Sequence, residues 1–206
     1  MKARDIAFLL LAAGLTGSFL PALAGAGAAA GAADSPIGDD AIRAAVAKSL
    51  PLLERGARGS MEQRHQCFTC HNQGVPILAL TTARSRGFEI DAEHLEEQIE
   101  FTAGFLARNR ENYRSGRGQG GQATTAGYAL GALADGGWKP DAATAAVAEY
   151  LLLYQNDLDH WRSSSRRPPS EQSPFTTTYV ALRGLNSFGT PDQRERIDRR
   201  FEQVRG

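Results

Sequence analysis

The residues of this 206-residue chain that could carry chemistry are the run Cys67-Phe68-Thr69-Cys70-His71. The spacing is CxxCH, which is typical of covalent attachment of a c-type haem. Each of the two thiols can add across one vinyl group of a porphyrin, and the histidine that follows supplies an axial nitrogen to the iron. The sequence therefore predicts haem c, with Cys67 and Cys70 as attachment residues and His71 as an iron ligand.

Three other interpretations of the two cysteines, which are the only ones in the chain, stay open. A thioredoxin-like redox pair expects a βαβ setting, and no such pattern is visible. A zinc site would need a further ligand from His65, His94 or His160, and the spacings match no common zinc finger. A disulfide between the two cysteines would close a loop too short to add much stability.

The sixth position of the iron has four alternatives. Met61 is the only methionine besides Met1, and a methionine ligand would raise the redox potential relative to a second histidine. His160 and His94 are the histidine candidates. The acidic neighbours of His94, in the first turn of a predicted helix, indicate an exposed side chain. An open position is the remaining alternative.

The first 24 residues have the composition of a secretory signal peptide. Two basic residues precede an apolar stretch over residues 6–20, and Ala22-Leu23-Ala24 is an A-x-A cleavage site. An uncleaved anchor is the alternative, although the apolar stretch is short for a membrane span. We therefore expect a periplasmic or secreted protein with a signal peptide over 1–24 and no membrane span after cleavage.

The rest of the chain divides into a Gly/Ala-rich linker over residues 25–38 and one helical domain over residues 39–206, which carries the CxxCH motif. The 23 basic and 23 acidic residues give a formal net charge of zero. A neutral chain gives no support for a nucleic-acid partner.

Apolar residues recur with helical spacing, and no stretch alternates as a β-strand does. In the first predicted helix, Asp39 or Asp40 is the cap, Pro51 kinks or ends the helix, and Gly56 and Gly59 break the chain. The next helix is introduced by Gly74 and Pro76 and stops at Gly87, and another starts from an Asp91 cap. Two more helix pairs are predicted at about 123–135 with 141–155 and 175–187 with 192–204. Polar loops are predicted over 114–122 and 162–174.

The pattern repeats along the chain. Residues 77–91 match residues 127–141 at a shift of 50, and residues 179–192 form a third copy with one residue deleted. Each copy has an Ala-Leu pair on a first helix, a glycine turn, and an aspartate that would cap a second helix; these aspartates are Asp91, Asp141 and Asp192. One such pair cannot bury its own apolar face, whereas stacked pairs can.

These αα pairs, with their G-x-x-P-D turns and a closing stretch from Gln155 to Trp161, resemble the repeats of squalene-hopene cyclases and prenyltransferases. The order CFTCHNQGVPILALTTARSRGF, RGQGGQATTAGYALGALADGGWKPD and RPPSEQSPFTTTYVALRGL is similar to bacterial exported proteins that fuse a CxxCH to such repeats. The resemblance implies an all-α fold, a partial (α/α) toroid of helix-pair repeats that carries the c-type haem motif.

In such a toroid the first helices line the inside, and an incomplete ring leaves apolar ends that favour a partner or a second copy. The family's enzyme chemistry does not carry over, because Asp157-Leu158-Asp159 is the nearest acidic string and both cysteines lie in CxxCH. We expect a monohaem c-type cytochrome that transfers electrons to a redox partner protein or senses redox state or ligands. The alternative is a binding module for an apolar ligand or partner, with a structural haem.

Overall fold

A computed structural model describes residues 38–164 and 172–206. Every regular element in these ranges is helical, so the predicted all-α class is confirmed. The predicted signal peptide, residues 25–37 of the predicted linker, and residues 165–171 of the predicted loop lie outside the described residues. Among the helices that are described, none combines the length and the apolar composition needed to cross a bilayer.

The described residues form eight α-helices and two short turns of other helical types. The α-helices are α1 (Asp39–Arg64), α2 (Val75–Ser85), α3 (Ala92–Arg108), α4 (Arg110–Arg114), α5 (Gln122–Asp135), α6 (Ala142–Leu153), α7 (Pro174–Phe188) and α8 (Arg194–Arg205). A π-helical turn, Cys70–Gly74, precedes α2, and a 3₁₀ turn, Pro191–Gln193, precedes α8. The short α4 and the π-helical turn were not predicted from the sequence.

The first helix is longer than its sequence indicates. The predicted break at Gly56 and Gly59 is wrong, because α1 runs without interruption from Asp39 to Arg64 and contains Pro51. Neither glycine has a neighbour that a Cβ atom would meet, so nothing in the fold requires glycine there. The helix continues because Leu50, Ala57 and Ser60 are buried along one side, and this packing outweighs the weak helix propensity of glycine. Gly38, not an aspartate, is the N-cap residue.

The later helices contact several of their neighbours. Contacts join α2 to α3, α5 to α6 and α7 to α8. In addition, α5 contacts α2, α3 and α7, while α6 contacts α3, α4, α7 and α8. The two helices α5 and α6 therefore join the earlier helices to the later ones. Leucines of these helices are shielded from solvent in the core: Leu80, Leu95, Leu130, Leu151 and Leu185.

The α5–α7 contact is the closest one in this arrangement. A Cβ atom on Gly127 would lie 2.6 Å from a methyl carbon of Val180 and 2.7 Å from its backbone carbonyl carbon. A Cβ atom on Gly184 would lie 2.9 Å from Leu130. The two helices can approach this closely only because each presents a glycine to the other. The hydroxyls of Thr124 and Thr177 share a buried hydrogen bond of 2.9 Å across the same contact.

The turns after α2 and α5 have the same hydrogen bonds. Gly87 and Gly137 have φ angles of 79° and 76°, in the left-handed region that favours glycine. The residue after each glycine donates its N–H to the carbonyl five residues earlier, at 3.0 and 2.9 Å respectively. Asp91 and Asp141 then cap α3 and α6 by accepting backbone N–H groups, as predicted.

The third turn is built differently, and the predicted Asp192 cap is wrong. Gly189 has a φ of −63°, and Thr190 and Gln193 form a reciprocal capping box around the 3₁₀ turn. The Gln193 side chain accepts the Thr190 N–H at 3.0 Å. Deletion of one residue relative to the first two turns removes the left-handed position, so the capping function moves upstream of Asp192.

Candidate haem-attachment site

The CxxCH segment follows directly on the end of α1. His65 ends the helix with a φ of 52°, and the Cys67 N–H donates to the carbonyl of Arg64 at 3.1 Å. Cys67, Phe68 and Thr69 have no helical structure, and the π-helical turn begins at Cys70. Such wide turns often occur at functional sites. The motif is therefore divided, with its first cysteine on a non-helical segment and its second cysteine and histidine on a helical turn.

The three motif residues that carry chemistry differ in exposure. Cys67 and His71 are exposed, whereas Cys70 is only 2% exposed and belongs to the buried core. Between them, Phe68 is buried and its ring centroid lies 5.7 Å from that of Phe105 on α3. The aromatic anchor fixes the segment to the core and leaves one thiol outside and one inside.

The motif is held closed by a side chain just beyond it. The side-chain Oε1 of Gln73 accepts the backbone N–H of Thr69 at 2.9 Å and its hydroxyl at 2.6 Å. In return, the N–H of Gln73 donates to the Thr69 carbonyl at 3.0 Å. We call these three bonds the Thr69–Gln73 clasp. Gln73 is fully buried, and its Nε2 atom has no hydrogen-bond partner in the structure.

Two further contacts pack the far end of this turn. A Cβ atom on Gly74 would lie 3.3 Å from the Phe68 ring and 3.4 Å from the Tyr128 ring, so the backbone there lies directly against two aromatic side chains. Behind the turn, the Tyr113 phenol is fully buried. Burial raises the pKa of Tyr113 above its usual value, and the neighbouring Tyr150 and Cys70 raise it further. Tyr113 therefore stays protonated next to the Cys70 thiol.

An uncovered apolar surface continues from His71 along α2. Val75 and Leu78 are 39% and 43% exposed, and their spacing of four and then three residues from His71 places all three on one side of the helix. Leu52 on α1 is 61% exposed. Between α1 and α2 an open groove of about 650 Å³ is lined by apolar residues that include Leu52, Leu53 and Ala79.

These features fit a haem c group. The exposed Cys67 and His71 are accessible to a porphyrin, and the bare side chains of Val75 and Leu78 offer apolar cover next to His71. Cys70 fits only if its turn opens locally, because its thiol lies within the core.

The other interpretations of the cysteines gain nothing from the geometry. No disulfide joins Cys67 to Cys70. Within residues 38–164 and 172–206, no three His, Cys, Asp or Glu side chains come together in a way that could hold a metal ion. No strand lies among these residues to form a thioredoxin-like βαβ unit.

The prediction that His94 is exposed is wrong. Its side chain is buried, its Nδ1 lies 3.3 Å from Oε2 of Glu97, and its Nε2 has no hydrogen-bond partner. The cause is α1, which covers the first turn of α3: Glu54 accepts the N–H of Asp91 and Arg58 donates to its carboxylate.

The remaining sixth-ligand candidates lie in different places. Met61 is half-buried in the last turn of α1, close in sequence to the motif, and accepts the N–H of His65 on its carbonyl. The Nδ1 of His160 lies 2.6 Å from a carboxylate oxygen of Asp159, in a pocket lined by α7 and α8. The π-helical turn that carries His71 instead contacts α1, α2 and α5. Met61 lies on one of these elements, α1.

Sequence reasoning missed Thr69 and Gln73. A threonine and a glutamine four residues apart, on either side of the second cysteine, are compatible with one helical turn. That spacing was the available signal. The burial of Gln73 depends on tertiary packing against α5 and could not be derived from it.

In comparisons with known proteins, no family model, no curated protein and no solved structure matches this chain. The resemblance to cyclase-type repeats and exported cytochromes therefore depends on the residues alone.

Proposed function

We propose that this chain is an exported monohaem c-type cytochrome built on αα repeats, which transfers electrons or senses redox state or ligands. The observation that carries the proposal is the ordered CxxCH segment, with Cys67 and His71 exposed next to uncovered apolar side chains. Large apolar side chains exposed beside a potential ligand residue are what a missing apolar group would cover.

Each residue has a distinct role in this proposal. Cys67 and Cys70 would hold the porphyrin through thioether bonds, and His71 would supply an imidazole ligand to the iron. Val75 and Leu78 would exclude water from the porphyrin, which influences the redox potential. The bound haem would supply one-electron chemistry, while the chain sets its position, its solvent access and its potential.

The proposal includes export and a partner. The signal-peptide pattern over residues 1–24 supports a periplasmic or secreted location, where covalent haem attachment is expected. The exposed Phe175 and Tyr179 on α7 support a partner surface, filled by a redox protein or by a second copy.

We further propose that the helix pairs form a partial (α/α) toroid. Support comes from the contacts of α5 with α2 and α7, and from the shared hydrogen bonds of the turns at Gly87 and Gly137. The third turn, with its Thr190 cap, departs from this pattern. An electron-density or scattering envelope of the purified protein, showing an open arc, would test the arrangement.

The function is tested by covalent haem staining. The full chain is expressed with a c-type maturation system, and the protein is separated on a denaturing gel, which removes non-covalent haem. We expect a stained band for the unaltered chain and for the matched control His65→Ala, which changes an exposed histidine two residues before the motif. The band should be lost in the double variant Cys67→Ser/Cys70→Ser. An unstained natural chain whose two thiols both alkylate would overturn the proposal.

The second candidate is a binding module for an apolar ligand, and one pocket favours it. A pocket of about 570 Å³ on α7 and α8 is lined by Phe175, Tyr179, Leu182 and Val204, with His160 at its edge. This volume is in the range of small-molecule sites.

Visible spectra separate the two candidates. Reduced-minus-oxidised spectra with and without carbon monoxide show whether the haem cycles and whether its sixth position is open. A haem that does not change oxidation state, together with binding of a polyprenyl lipid that is lost in Tyr179→Ser, would favour the binding module.

A further inference from the structure

The two cysteines of the motif are unequal in the folded chain, although the sequence gives them the same chemical role. Cys67 is exposed, whereas Cys70 is 2% exposed. We propose that the Thr69–Gln73 clasp gates Cys70, so that in the folded, haem-free chain Cys67 is the first thiol available to a porphyrin and Cys70 reacts only while the clasp is open. The assignment of the porphyrin as the reagent rests on the proposed function; the gating of the thiol does not.

The position of the clasp makes it the gate. Thr69 immediately precedes Cys70, and Gln73 follows three residues later, so the clasp closes the turn on both sides of the thiol. Turning Cys70 outward requires a change in the backbone of this turn, and that change breaks the bonds from Thr69 to Gln73. Cys67 lies outside the bonded turn, and its exposure does not depend on the clasp.

The clasp holds the turn but can open. Its two bonds to the Gln73 side chain stabilise the closed turn. The buried Nε2 atom of the same amide has no partner, which makes the closed turn less stable than the two bonds alone would make it. Such a segment can open locally without global unfolding of the fold.

The chemistry at each thiol is a redox-neutral addition. The S–H bond and the π bond of one vinyl group break. A sulfur–carbon bond forms at one vinyl carbon, and the hydrogen goes to the other. No oxidant or reductant is consumed, but each sulfur must enter as a thiol, and no disulfide joins the two cysteines in this structure. Gating of Cys70 therefore sets the order of the two additions on a folded chain, Cys67 first.

The test measures alkylation of the two thiols in the full-length, haem-free chain, with iodoacetamide as the probe and peptide mass spectrometry to assign each cysteine. We expect Cys67 to react at least about tenfold faster than Cys70, because Cys70 reacts only from the open state. Gln73→Leu removes both side-chain bonds at similar volume, but it also removes the unpaired Nε2 atom, which partly offsets the loss. The Cys70 rate should therefore rise about three- to tenfold, with the Cys67 rate unchanged.

A matched pair at Thr69 gives an independent measurement. Thr69→Val keeps the shape but removes the hydroxyl bond, and should raise the Cys70 rate about threefold. Thr69→Ser keeps the hydroxyl and should leave that rate near its original value. Gln73→Leu could reduce helicity, so that global unfolding exposes both thiols. In that case the proposal is tested by comparing the Cys70 rates of Thr69→Val and Thr69→Ser.

Equal rates for the two cysteines in the natural chain would overturn the proposal. So would a Cys70 rate that is the same in Thr69→Val and Thr69→Ser. If the matured chain does not stain for haem, the proposed function is wrong. The gating proposal is still tested by the alkylation rates, because they are measured on the haem-free chain.

Discussion

The α5–α7 contact and the α1–α2 hairpin are built in opposite ways. Between α5 and α7, glycines bring the backbones together, and Gly127 has no room for even a methyl group. Between α1 and α2, an open groove of about 650 Å³ separates the helices, and Leu52 and Leu78 are exposed beside it. The α5–α7 contact is therefore closely packed, whereas the surface between α1 and α2 is open.

This difference in packing distinguishes the α5–α7 contact, which belongs to the scaffold, from the α1–α2 hairpin, which carries the candidate site. Interiors packed without voids transmit strain, so the α5–α7 contact should tolerate little change. The α1–α2 hairpin carries CxxCH where the two helices are connected, and its apolar surface is partly exposed. An exposed apolar surface of this kind is expected where a further apolar group binds. Three substitutions test this contrast, in order of decreasing effect on stability.

The largest effect is expected at Gly127. In Gly127→Ala the new methyl group would overlap the backbone of Val180, which cannot move aside as a flexible side chain can. Overpacking of this kind costs about 3 kcal/mol, which lowers the melting temperature of a domain this size on the order of 6–12 °C. Thermal unfolding followed by circular dichroism measures it.

Gly131→Ala is the matched control on the same helix. Its Cβ atom would lie 3.6 Å from the Arg183 side chain, an ordinary contact. It should raise stability by roughly 0.5–1 kcal/mol, because alanine favours the helix. Similar melting temperatures for the two variants would contradict the close α5–α7 packing.

An intermediate effect is expected from pH in the scaffold region. The hydrogen-bonded Arg196 holds the pKa of Glu149 below its ordinary value of 4.5, against a smaller opposing effect of burial, and Gln193 adds a further bond. A carboxyl group whose pKa is lowered by folding stabilises the fold above its unfolded pKa, and the stabilisation is lost as pH falls through the folded pKa.

Melting temperatures from pH 6 to pH 3 should therefore fall less steeply in Glu149→Gln than in the natural chain. Glu62→Gln, which changes an exposed glutamate on α1, is the control and should leave the profile unchanged. Identical slopes for the natural chain and Glu149→Gln would show that this ion pair does not link α6 to α8 in solution.

The smallest effect on the haem-free fold is expected in the hairpin. Leu78→Ser changes an exposed side chain and should shift the unfolding free energy by less than about 0.5 kcal/mol. In the haem-loaded protein the same change should reduce the extra stability gained on loading, because Leu78 then covers the porphyrin. Melting temperatures of both forms give the difference.

Leu153→Ser alters a leucine of similar exposure on α6, away from the hairpin, and should leave that difference unchanged. If haem loading raises the melting temperatures of Leu78→Ser and Leu153→Ser by the same amount, the apolar surface beside His71 does not bind the haem.

Local signals in the sequence predicted the helix pairs well. Asp91 and Asp141 cap helices, and Gly87 and Gly137 form left-handed turns, because caps and turns are decided by a few adjacent residues. Gly56 and Gly59 show the limit of such signals. The same residue type that ends a helix at Gly87 lies inside α1, where burial of Ala57 and Ser60 stabilises the continuous helix.

The exposure of the candidate site could not be predicted from the sequence. The spacing of CxxCH makes Cys67, Cys70 and His71 the predicted haem residues, and this stays a prediction. That Cys70 is buried, and that His94 lies beneath α1 rather than in solvent, depends on which helix covers which. Those contacts join residues far apart in the chain, and no periodicity encodes them.

The final helix packs against its end of the molecule through both apolar and charged side chains, since Ile197 is fully buried and Arg200 is buried beside it. The guanidinium of Arg200 lies 3.9 Å from the ring centroid of the fully buried Trp161 and donates hydrogen bonds to the carbonyls of Gln155 and Leu158. Detachment of α8 would expose the Trp161 indole to water, and the carbonyls of Gln155 and Leu158 would lose their hydrogen bonds from Arg200. In a Trp138→Phe variant, which removes the other tryptophan of the chain, the intrinsic emission of Trp161 would report whether the last helix is docked, without any label.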